Sequence, residues 1–403
     1  GERVLWAAVR SVQMLSDDVE CVIYTGDTGA EPDVILGKVR SHFNIDIPRP
    51  VRFVFLRHRW LVEPETYPRF TMLGQSLGSA LLGFEALWKF CPDVFIDSMG
   101  YAFTFPLMKI IGGCKVACYV HYPTISTDML ERIQQQRPQY NNNDRIASSR
   151  TLSFAKVLYY RMFAVMYGQM GRWADVAMVN STWTEGHITR LWGKRPAIVP
   201  PPCNTAALQE LPVGNRKPYI ISIGQFREEK DHPLQLLAFS RLLEKLSPSQ
   251  RTIPRLVLVG SCRNEGDAKR IQNLKALVTE YTIPEDQIVF MVNAPYQELL
   301  RCLAESSVGI HTMWNEHFGI GIVEYMAAGV IPVAHNSGGP KGDIVRPPET
   351  GFLASTPDQY ATFLEEALFH TTEDSRRRCR ESVHRFSDEK FQERFTKTIQ
   401  SLL

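Results

Sequence analysis

Short apolar segments alternate with helical segments along nearly the whole chain. The apolar segments are rich in β-branched and aromatic residues, as in KVACYV at 115–120, RLVLVG at 255–260 and SVGIHT at 307–312. Between them lie amphipathic stretches such as 71–90 and 150–173. Strands that are apolar throughout and separated by helices are typical of parallel sheets covered on both faces. The alternation therefore predicts an α/β fold.

This alternation occurs in two successive blocks, joined by the stretch LPVGNRKP at 211–218. A chain of 403 residues is also too long for one ordinary hydrophobic core. We therefore predict two Rossmann-like domains, at 1–212 and 213–387, and a last helix at 388–403 that packs back across the cleft between them. Ligands of such folds bind at the carboxyl ends of the strands, so the site is expected in that cleft.

The net charge and the cysteine content indicate which partners and which cysteine chemistry to expect. The formal net charge is only +2, which gives no indication of a nucleic-acid partner. The eight cysteines include no C-x-x-C pair, and several lie in apolar runs. This distribution is typical of a reduced, cytosolic protein rather than of a disulfide framework or a zinc site.

No segment of the sequence qualifies as a transmembrane helix. The closest, 71–90, contains Gln75, Glu85 and Lys89, which favours a buried or interfacial helix over a span. The chain starts at Gly1 within what looks like the start of a helix, with neither an initiator methionine nor a signal peptide. We therefore expect that a segment before Gly1 has been removed and that a membrane anchor went with it.

The most informative segment is NEHFGIGIVEYMAAG at 315–329, in which seven residues separate Glu316 from Glu324. Helical periodicity predicts that a helix begins at about Gly319, where bare backbone N–H groups form a site for a diphosphate. Glu316 would face the group attached to the phosphate, and Glu324 offers two acceptor oxygens that suit a ribose diol. The alternative, a surface loop and helix with incidental acids, is disfavoured by the glycines at the helix start.

This segment resembles the E-x7-E signature of the retaining GT-B glycosyltransferases. More narrowly, HFGIGIVEYMAAG at 317–329 and AHNSGGPKGDIV at 334–345 resemble the eukaryotic α-1,2-mannosyltransferases of asparagine-linked glycosylation. Similar stretches also occur at PDVFIDSMGYAFTFP (92–106), YVHYPTIS (119–126) and QFREEKDH (225–232). The resemblance covers nearly all the chain and implies the α/β GT-B fold, in which two Rossmann-like domains face each other across a cleft.

By this resemblance, the protein is expected to be a retaining α-1,2-mannosyltransferase. It would move mannose from GDP-mannose, bound by domain 213–387, to dolichyl-diphosphate-linked Man3GlcNAc2 and then Man4GlcNAc2, bound by domain 1–212. It would act at the cytosolic face of the endoplasmic reticulum membrane, in contact with the membrane surface and with other mannosyltransferases of the pathway. The alternatives are the sister α-1,3/α-1,6-mannosyltransferase and a nucleotide-sugar-binding scaffold without catalysis. No residue by itself distinguishes guanine from uracil.

The resemblance also assigns roles to the residues around the helix start. Glu316 would bind the hydroxyls of the donor sugar and support the transition state, and Glu324 would hold the ribose. Phe318, Gly319 and Ile320 would border the diphosphate, to which Gly319 and Ile320 offer backbone N–H groups.

Two cations, a histidine and a glycine complete the predicted donor site. Lys230 and Arg227 follow a predicted strand, where they would neutralise the diphosphate as the glycosidic bond breaks. Lys230 is the stronger candidate, because the family's arginine directly follows the glycine, where this chain has Gln225. His121, at the end of the strand KVACYV, would hydrogen-bond the sugar or the leaving group, although a lone histidine is more often structural. Gly1 resembles the end of a glycine-rich loop that approaches the diphosphate.

The predictions of the acceptor site and of metal independence rest on fewer residues than the prediction of the donor site. The chain has no D-x-D sequence of the kind that holds a metal on the diphosphate, so we expect no metal and no cofactor besides the donor substrate. Docking of the lipid diphosphate is assigned to Arg145 and Arg150. The neighbouring helix at 156–170 is expected to fill the core rather than to lie on a membrane.

Overall fold

The part of the chain that the computed structural model describes comprises residues 1–126, 129, 150–251 and 254–403. It forms two compact units, of which the first contains Gly1–Pro200 and Phe391–Leu403 and the second contains Pro201–Lys390. In both, parallel strands are connected by helices. The predicted α/β fold is therefore confirmed.

The first unit contains two parallel sheets. Its strands are β1 Val22–Thr25, β2 Arg52–Phe55, β3 Val94–Asp97, β4 Lys115–Val120, β5 Val176–Val179 and β6 Ala197–Ile198. Its helices are α1 Glu2–Leu15, α2 Pro32–Phe43, α3 Thr71–Lys89, α4 Phe105–Ile110, α5 Arg150–Gly171 and α6 Thr182–Trp192. Strand β1 pairs with β2, and β3 to β6 follow one another in chain order.

The second unit is built on one six-stranded parallel sheet. Its strands are β7 Lys217–Ile223, β8 Arg255–Gly260, β9 Ile288–Val292, β10 Ser306–His311, β11 Ile331–His335 and β12 Phe352–Ala354. Its helices are α7 His232–Lys245, α8 Glu265–Glu280, α9 Tyr296–Glu305, α10 Ile320–Ala327, α11 Pro357–Phe369 and α12 Glu373–Glu381. Two helices of four residues, Ala206–Gln209 and Pro248–Arg251, and the last helix, α13 Asp388–Ile399, complete the described α-helices.

The four-stranded sheet of the first unit has a separate hydrophobic core on each face. Alternate residues of β4 point to opposite faces, since side chains of a strand alternate with a period of two. Cys118 packs into a core covered by α3, α4, α5 and α6, whereas Tyr119 packs into one covered by α1, α2 and the end of α13. Phe391 and Phe395 anchor α13 there. The unit therefore has two distinct helix layers.

A cavity of about 970 Å³ lies in the first unit. Its walls include Ile23 and Tyr24 of β1 and Phe95, Ile96 and Asp97 of β3. Within the described chain, β1 is hydrogen-bonded only to β2, and β3 only to β4. The cavity therefore lies between the free edges of the two sheets.

The strand order of the second unit is β12-β11-β10-β7-β8-β9. After β7 the chain adds strands in one direction through β8 and β9, and from β10 it adds them in the other direction. The order thus reverses between β7 and β10, and ligands of open α/β sheets bind at the carboxyl ends of strands at such a point. The segments after β7 and β10 are consequently the first place to look for a site.

None of the helices in the described ranges has both the length and the apolar character needed to cross a bilayer.

Candidate active site

Lys230 and Glu316, both predicted from the sequence, meet at the point where the strand order reverses. Lys230 follows β7 and Glu316 follows β10, and Lys230 Nζ lies 2.8 Å from Glu316 Oε2. Both side chains are mostly buried, with 25% and 15% of their surface exposed. A lysine and a carboxylate at this distance form a charge-assisted hydrogen bond.

The backbone around Lys230 is held by the segment that follows β10. The hydroxyl of Thr312 donates to the carbonyl of Lys230 over 2.7 Å, and Gln235 of α7 donates to that hydroxyl over 3.0 Å. The next residue, Asp231, caps α7 by accepting from the backbone N–H of Leu234. Lys230 is therefore fixed between a helix start and a neighbouring strand end.

The backbone of Glu316 is held by the glycines that follow β11. The N–H of Gly339 donates to the carbonyl of Glu316 over 2.8 Å. Gly338 has a φ of +60°, and a Cβ atom there would overlap that same carbonyl oxygen. Ser337 accepts from the N–H of Asn315 over 2.7 Å. The SGGP sequence thus allows two loops to approach more closely than side chains would permit.

His311, at the end of β10, completes the cluster and was not predicted from the sequence. Its Nε2 lies 3.2 Å from Glu316 Oε2, and its side chain is 7% exposed. Burial opposes the ionisation of Glu316, but the hydrogen bond from His311 and the charges of His311 and Lys230 outweigh it. They hold the pKa of Glu316 well below its usual range. Glu316 is therefore an ionised carboxylate in a largely dry site.

His311 could have been found from a positional rule, since it ends an apolar run that reads as a strand. The sequence did not indicate which way the strand order reverses, so it did not indicate that β10 lies beside β7.

The helix start lies where the sequence predicted it. Helix α10 runs from Ile320, and Gly319 precedes it with a φ of +112°, which favours glycine. A Cβ atom added to Gly321 would meet no atom within 4 Å, so the first turn is open to a ligand. The first N–H groups of a helix have no intrahelical acceptor, and this end therefore suits an anion.

Phe318 and Glu324 take different positions around this helix. Phe318 is buried, and its ring lies edge-on to Phe386 at 5.3 Å. Its side chain is therefore part of the core, and only its backbone is near the helix start. Glu324 is half-buried on α10, four residues after Ile320, so the two lie on the same side of the helix.

Arg227 is not brought to the cluster formed by Lys230, Glu316 and His311. It is largely exposed and forms its ion pair with Glu229 over 3.1 Å, within the same turn. The intervening Phe226 is fully buried and stacks on His232 at 5.2 Å. Arg227 and Lys230 therefore lie in different surroundings, although they belong to the same segment.

His121 lies at the carboxyl end of β4 in the first unit. Asn180 donates to the backbone carbonyl of His121 over 2.7 Å, and the imidazole is hydrogen-bonded to the backbone of Ser98. Its Nε2 is buried without a hydrogen-bond partner in the described chain. A Cβ atom on Gly1 would be 3.5 Å from that nitrogen. Burial lowers the pKa of His121 to about 4, so the imidazole is neutral at neutral pH.

Asp97, which the sequence did not single out, shapes the loop that reaches His121. Its carboxylate accepts from the backbone N–H groups of Met99, Gly100 and Tyr101. Burial raises the pKa of Asp97 to about 6, against the effect of these bonds. The signal for this role was the position of an aspartate at a strand end, before a serine and a glycine.

The predicted acceptor residues are not tested by the structure. Arg145 lies outside the described residues, and Arg150 begins α5 with a side chain that is not described. Within the described residues, no group of three or more His, Cys, Asp or Glu side chains is arranged to hold a metal ion. The eight cysteines, all within the described ranges, are unpaired.

Comparison with known families gives two matches. Residues 1–192 match the family described as ALG11 mannosyltransferase N-terminus. Residues 205–386 match the family described as glycosyl transferases group 1.

Curated relatives match over the full chain. A GDP-Man:Man(3)GlcNAc(2)-PP-Dol alpha-1,2-mannosyltransferase from Xenopus laevis is 52% identical, and the match covers 100% of this chain and 85% of the relative. The protein of the same name from Homo sapiens is 48% identical, with 100% and 84% covered.

Among solved structures, sucrose-phosphate synthase from Thermosynechococcus elongatus is similar with a TM-score of 0.67. The two chains are 18% identical, and the match covers 98% of this chain and 91% of the other. At that identity the likeness concerns the fold alone. It confirms the predicted GT-B fold.

Proposed function

This chain belongs to the family of GDP-Man:Man(3)GlcNAc(2)-PP-Dol alpha-1,2-mannosyltransferases, and from this we propose that it transfers mannose from GDP-mannose to a dolichyl-diphosphate-linked oligosaccharide. The acceptor is Man3GlcNAc2 and then Man4GlcNAc2, the linkage is α-1,2, and the anomeric configuration is retained. The second unit binds the donor, and the first unit binds the acceptor.

The observation that carries the proposal is the contact of Lys230 and His311 with Glu316 at the strand-order reversal of the second unit. It combines a cation that can face a diphosphate with a carboxylate that is ionised and oriented before any ligand arrives. Preorganised charge of this kind stabilises charge that develops in a transition state, because no reorganisation is needed at that moment.

The donor would bind around the start of α10. The backbone N–H groups of Gly319 and Ile320, next to the backbone of Phe318, receive the diphosphate, and the open surface at Gly321 leaves room for it. Glu324 accepts from the ribose hydroxyls. Glu316 accepts from hydroxyls of the mannose.

His121 would act from the first unit on the sugar. Its Nε2 is buried and unpartnered, which is costly unless a ligand supplies a hydrogen bond. A neutral imidazole suits this role, because it hydrogen-bonds a hydroxyl or phosphate oxygen without adding a full charge. The backbone of Gly1 borders the same nitrogen and would approach the diphosphate beside it.

In the transfer step, the bond between mannose C1 and the oxygen of the β-phosphate breaks, and its electron pair stays on that oxygen. The acceptor hydroxyl attacks C1 from the face that the phosphate leaves, and its proton passes to the departing phosphate oxygen. The products are GDP and the extended oligosaccharide. Lys230 neutralises the charge that grows on the phosphate, and no protein nucleophile is required.

Neutralisation by Lys230 and by the α10 N-terminus would make a divalent metal unnecessary, in agreement with the absence of a D-x-D sequence. Arg227 is kept as a weaker donor contact, since it would have to leave Glu229. Arg145 and Arg150 remain the proposed contacts of the lipid diphosphate. The enzyme would act on the cytosolic face of the endoplasmic reticulum membrane, beside the other mannosyltransferases of its pathway.

The test is a donor screen on a chitobiose-trimannose acceptor carried by a short isoprenoid diphosphate. GDP-mannose, UDP-glucose and UDP-N-acetylglucosamine are compared by mass spectrometry, with and without EDTA and with Glu316→Ala as a control. We expect two hexoses from GDP-mannose only, unaffected by EDTA and absent with the variant.

Each of the other outcomes contradicts a particular part of the proposal. Transfer from a UDP-sugar contradicts the donor assignment, and α-1,3 or α-1,6 linkages in the product favour the sister enzyme. Binding of GDP-mannose without any turnover favours a scaffold that has lost catalysis. Loss of transfer with EDTA contradicts metal independence.

A further inference from the structure

Three arginines of the second unit lie together, and in the described chain none of them forms an ion pair. Arg216 directly precedes β7, and Arg376 and Arg380 belong to α12. Arg376 is 6% exposed, and the other two are partly buried. Their described hydrogen bonds go to backbone carbonyls, apart from one that Arg376 donates to the hydroxyl of Thr371. We call these three residues the arginine triad.

The arginine triad meets at the C-terminal end of α10, the helix whose N-terminal end is proposed to receive the diphosphate. The carbonyl of Ala328, at this end, accepts hydrogen bonds from Arg216 and, over 3.1 Å, from Arg380. The carbonyl of Gly329 accepts from Arg376 over 3.2 Å. A Cβ atom on Gly329 would lie 3.2 Å from Arg380 Nη2 and 3.4 Å from Arg216 Nη2. A glycine here therefore lets the guanidinium groups approach the backbone closely.

The other contacts of the arginine triad fix α10 against the rest of the second unit. Arg216 donates to the carbonyls of Leu303, near the end of α9, and of Ser306, at the start of β10, over 2.7 and 2.6 Å. Arg380 donates to the carbonyl of Leu211, before β7, over 2.6 Å. Carbonyls at the end of a helix lack intrahelical donors, and one planar guanidinium can serve several of them. Helix α10 is thereby held relative to β10, at whose other end the candidate site lies.

The carbonyls accept hydrogen bonds from the arginine triad but do not neutralise its charge. The C-terminal end of a helix carries only about half a negative charge, which is much less than the charge of three guanidinium groups. Burial and the charges of Arg376 and Arg380 lower the pKa of Arg216 to about 9, and burial lowers the pKa of the other two arginines. Arg216 is still charged at neutral pH, because that pKa lies above 7. Net positive charge therefore remains at this end of α10.

A diphosphate at the start of α10 would lie within the range of this charge. A helix of eight residues is about 12 Å long. Two unit charges about 15 Å apart, at an effective dielectric constant of about 20, change a binding constant roughly fivefold. Salt screens such an interaction only weakly, because protein and not water lies between the charges.

From these observations we infer that the arginine triad is part of the donor site and attracts the diphosphate through α10, from the opposite end of the helix. Its members touch no substrate and are positioning residues. The inference rests on the proposed function, which puts the diphosphate at the start of α10. It goes further by giving a role in donor binding to buried charges outside the site.

The test is calorimetric titration of the 403-residue chain with GDP and with GMP. GDP carries about one more negative charge than GMP at neutral pH, so loss of a remote positive charge should weaken the binding of GDP more. We expect Arg380→Gln, which keeps an N–H donor but removes the charge, to lower the ratio of GDP affinity to GMP affinity about threefold to fivefold. The matched control is Arg378→Gln, an exposed arginine of the same helix, which should leave this ratio unchanged.

Two further variants separate charge from packing. Arg380→Lys keeps the charge but cannot serve several carbonyls at once, so it should destabilise the second unit to urea and still keep the affinity ratio within about twofold. Arg216→Gln removes a second charge of the arginine triad and should lower the ratio as Arg380→Gln does, which covers the case in which Arg380→Gln folds poorly. An unchanged ratio in the glutamine variants of the triad, or an equal fall in Arg380→Lys, overturns the inference.

Transfer of mannose separates this inference from the proposed function. If GDP binds with the expected dependence on the arginine triad but no mannose is transferred from GDP-mannose, the proposed function fails and the inference stands. If mannose is transferred and the affinity ratio does not respond to the variants, the inference alone fails. An unmodified chain that binds neither nucleotide contradicts both.

Discussion

In both units, polar side chains lie at the carboxyl ends of parallel strands. The second unit has a charged pair there, whereas the first unit has a neutral histidine. In the second unit, Lys230 and His311 both contact the ionised carboxylate of Glu316 at the ends of β7 and β10. In the first unit, His121 at the end of β4 is neutral, and its Nε2 has no partner in the described chain. The Lys230–Glu316 pair holds its two charges against each other before a ligand arrives, whereas His121 Nε2 gains a hydrogen bond only when a ligand supplies one.

This contrast indicates that the two units contribute different kinds of contact to the donor. A group that must face a diphosphate needs a full charge, and that charge needs an internal partner while the site is empty. A group that contacts an uncharged hydroxyl needs neither a full charge nor an internal partner. Each prediction below tests one side of the comparison.

The largest effect is expected for Glu316→Gln. The amide keeps the size of the side chain but removes the charge that His311 and Lys230 orient, so the transfer rate should fall about 1,000-fold. Initial rates with GDP-mannose measure this. The matched control is Glu228→Gln, an exposed acid of the Lys230 turn, which should leave the rate within about twofold. Equal rates for the two variants would remove Glu316 from the mechanism.

A smaller loss, about 100-fold in rate, is expected for His121→Ala, because one hydrogen bond to the reacting sugar is removed. Binding of GDP alone should change far less than the rate, since most of the proposed nucleotide contacts belong to the second unit. Calorimetric titration with GDP and initial rates with GDP-mannose are the two measurements. A loss of GDP affinity as large as the loss of rate would contradict the assignment of the nucleotide contacts to the second unit.

The next effect concerns stability and pH. Burial lowers the pKa of His232 in the second unit to about 4, from 6.5 in an unfolded chain. Between these values the unfolded state binds more protons, so this stability is fully present above pH 6.5 and is lost as the pH falls toward 4. From pH 6.5 to pH 5 the loss should be roughly 1.5 kcal/mol.

Urea unfolding of the second unit at those two pH values measures this loss. His232→Phe preserves the stacking on Phe226 and should flatten the dependence. A pH slope that the substitution leaves unchanged would assign the effect to other groups. His121 shifts in the same direction, so the first unit should also weaken over this range.

The smallest effect is expected for Arg227→Met. This cation is largely exposed and pairs with Glu229, so its removal should lower the transfer rate less than about fivefold. Lys230→Met, measured beside it, should lower the rate far more. Comparable losses would show that Arg227 leaves Glu229 to join the diphosphate, and the contrast between the two cations would disappear.

Several features of the site could be predicted because they depend on local sequence. Gly319 before an apolar helical run predicts an open helix start, and Glu316 and Glu324 have fixed positions relative to it. Lys230 follows a strand that is apolar throughout. Apolar runs separated by helical segments predicted the parallel sheets in the same way, since both signals need only neighbouring residues.

What the sequence by itself determined was thus the fold class, the helix start and the family to which its motifs belong. The tertiary structure decided which strand ends meet, because β10 could have lain on either side of β7, and only this order brings His311 to Glu316. It also decided which side of α3 is covered. Leu82 and Leu81 are equally apolar, and only packing against the sheet buries the first and leaves the second exposed.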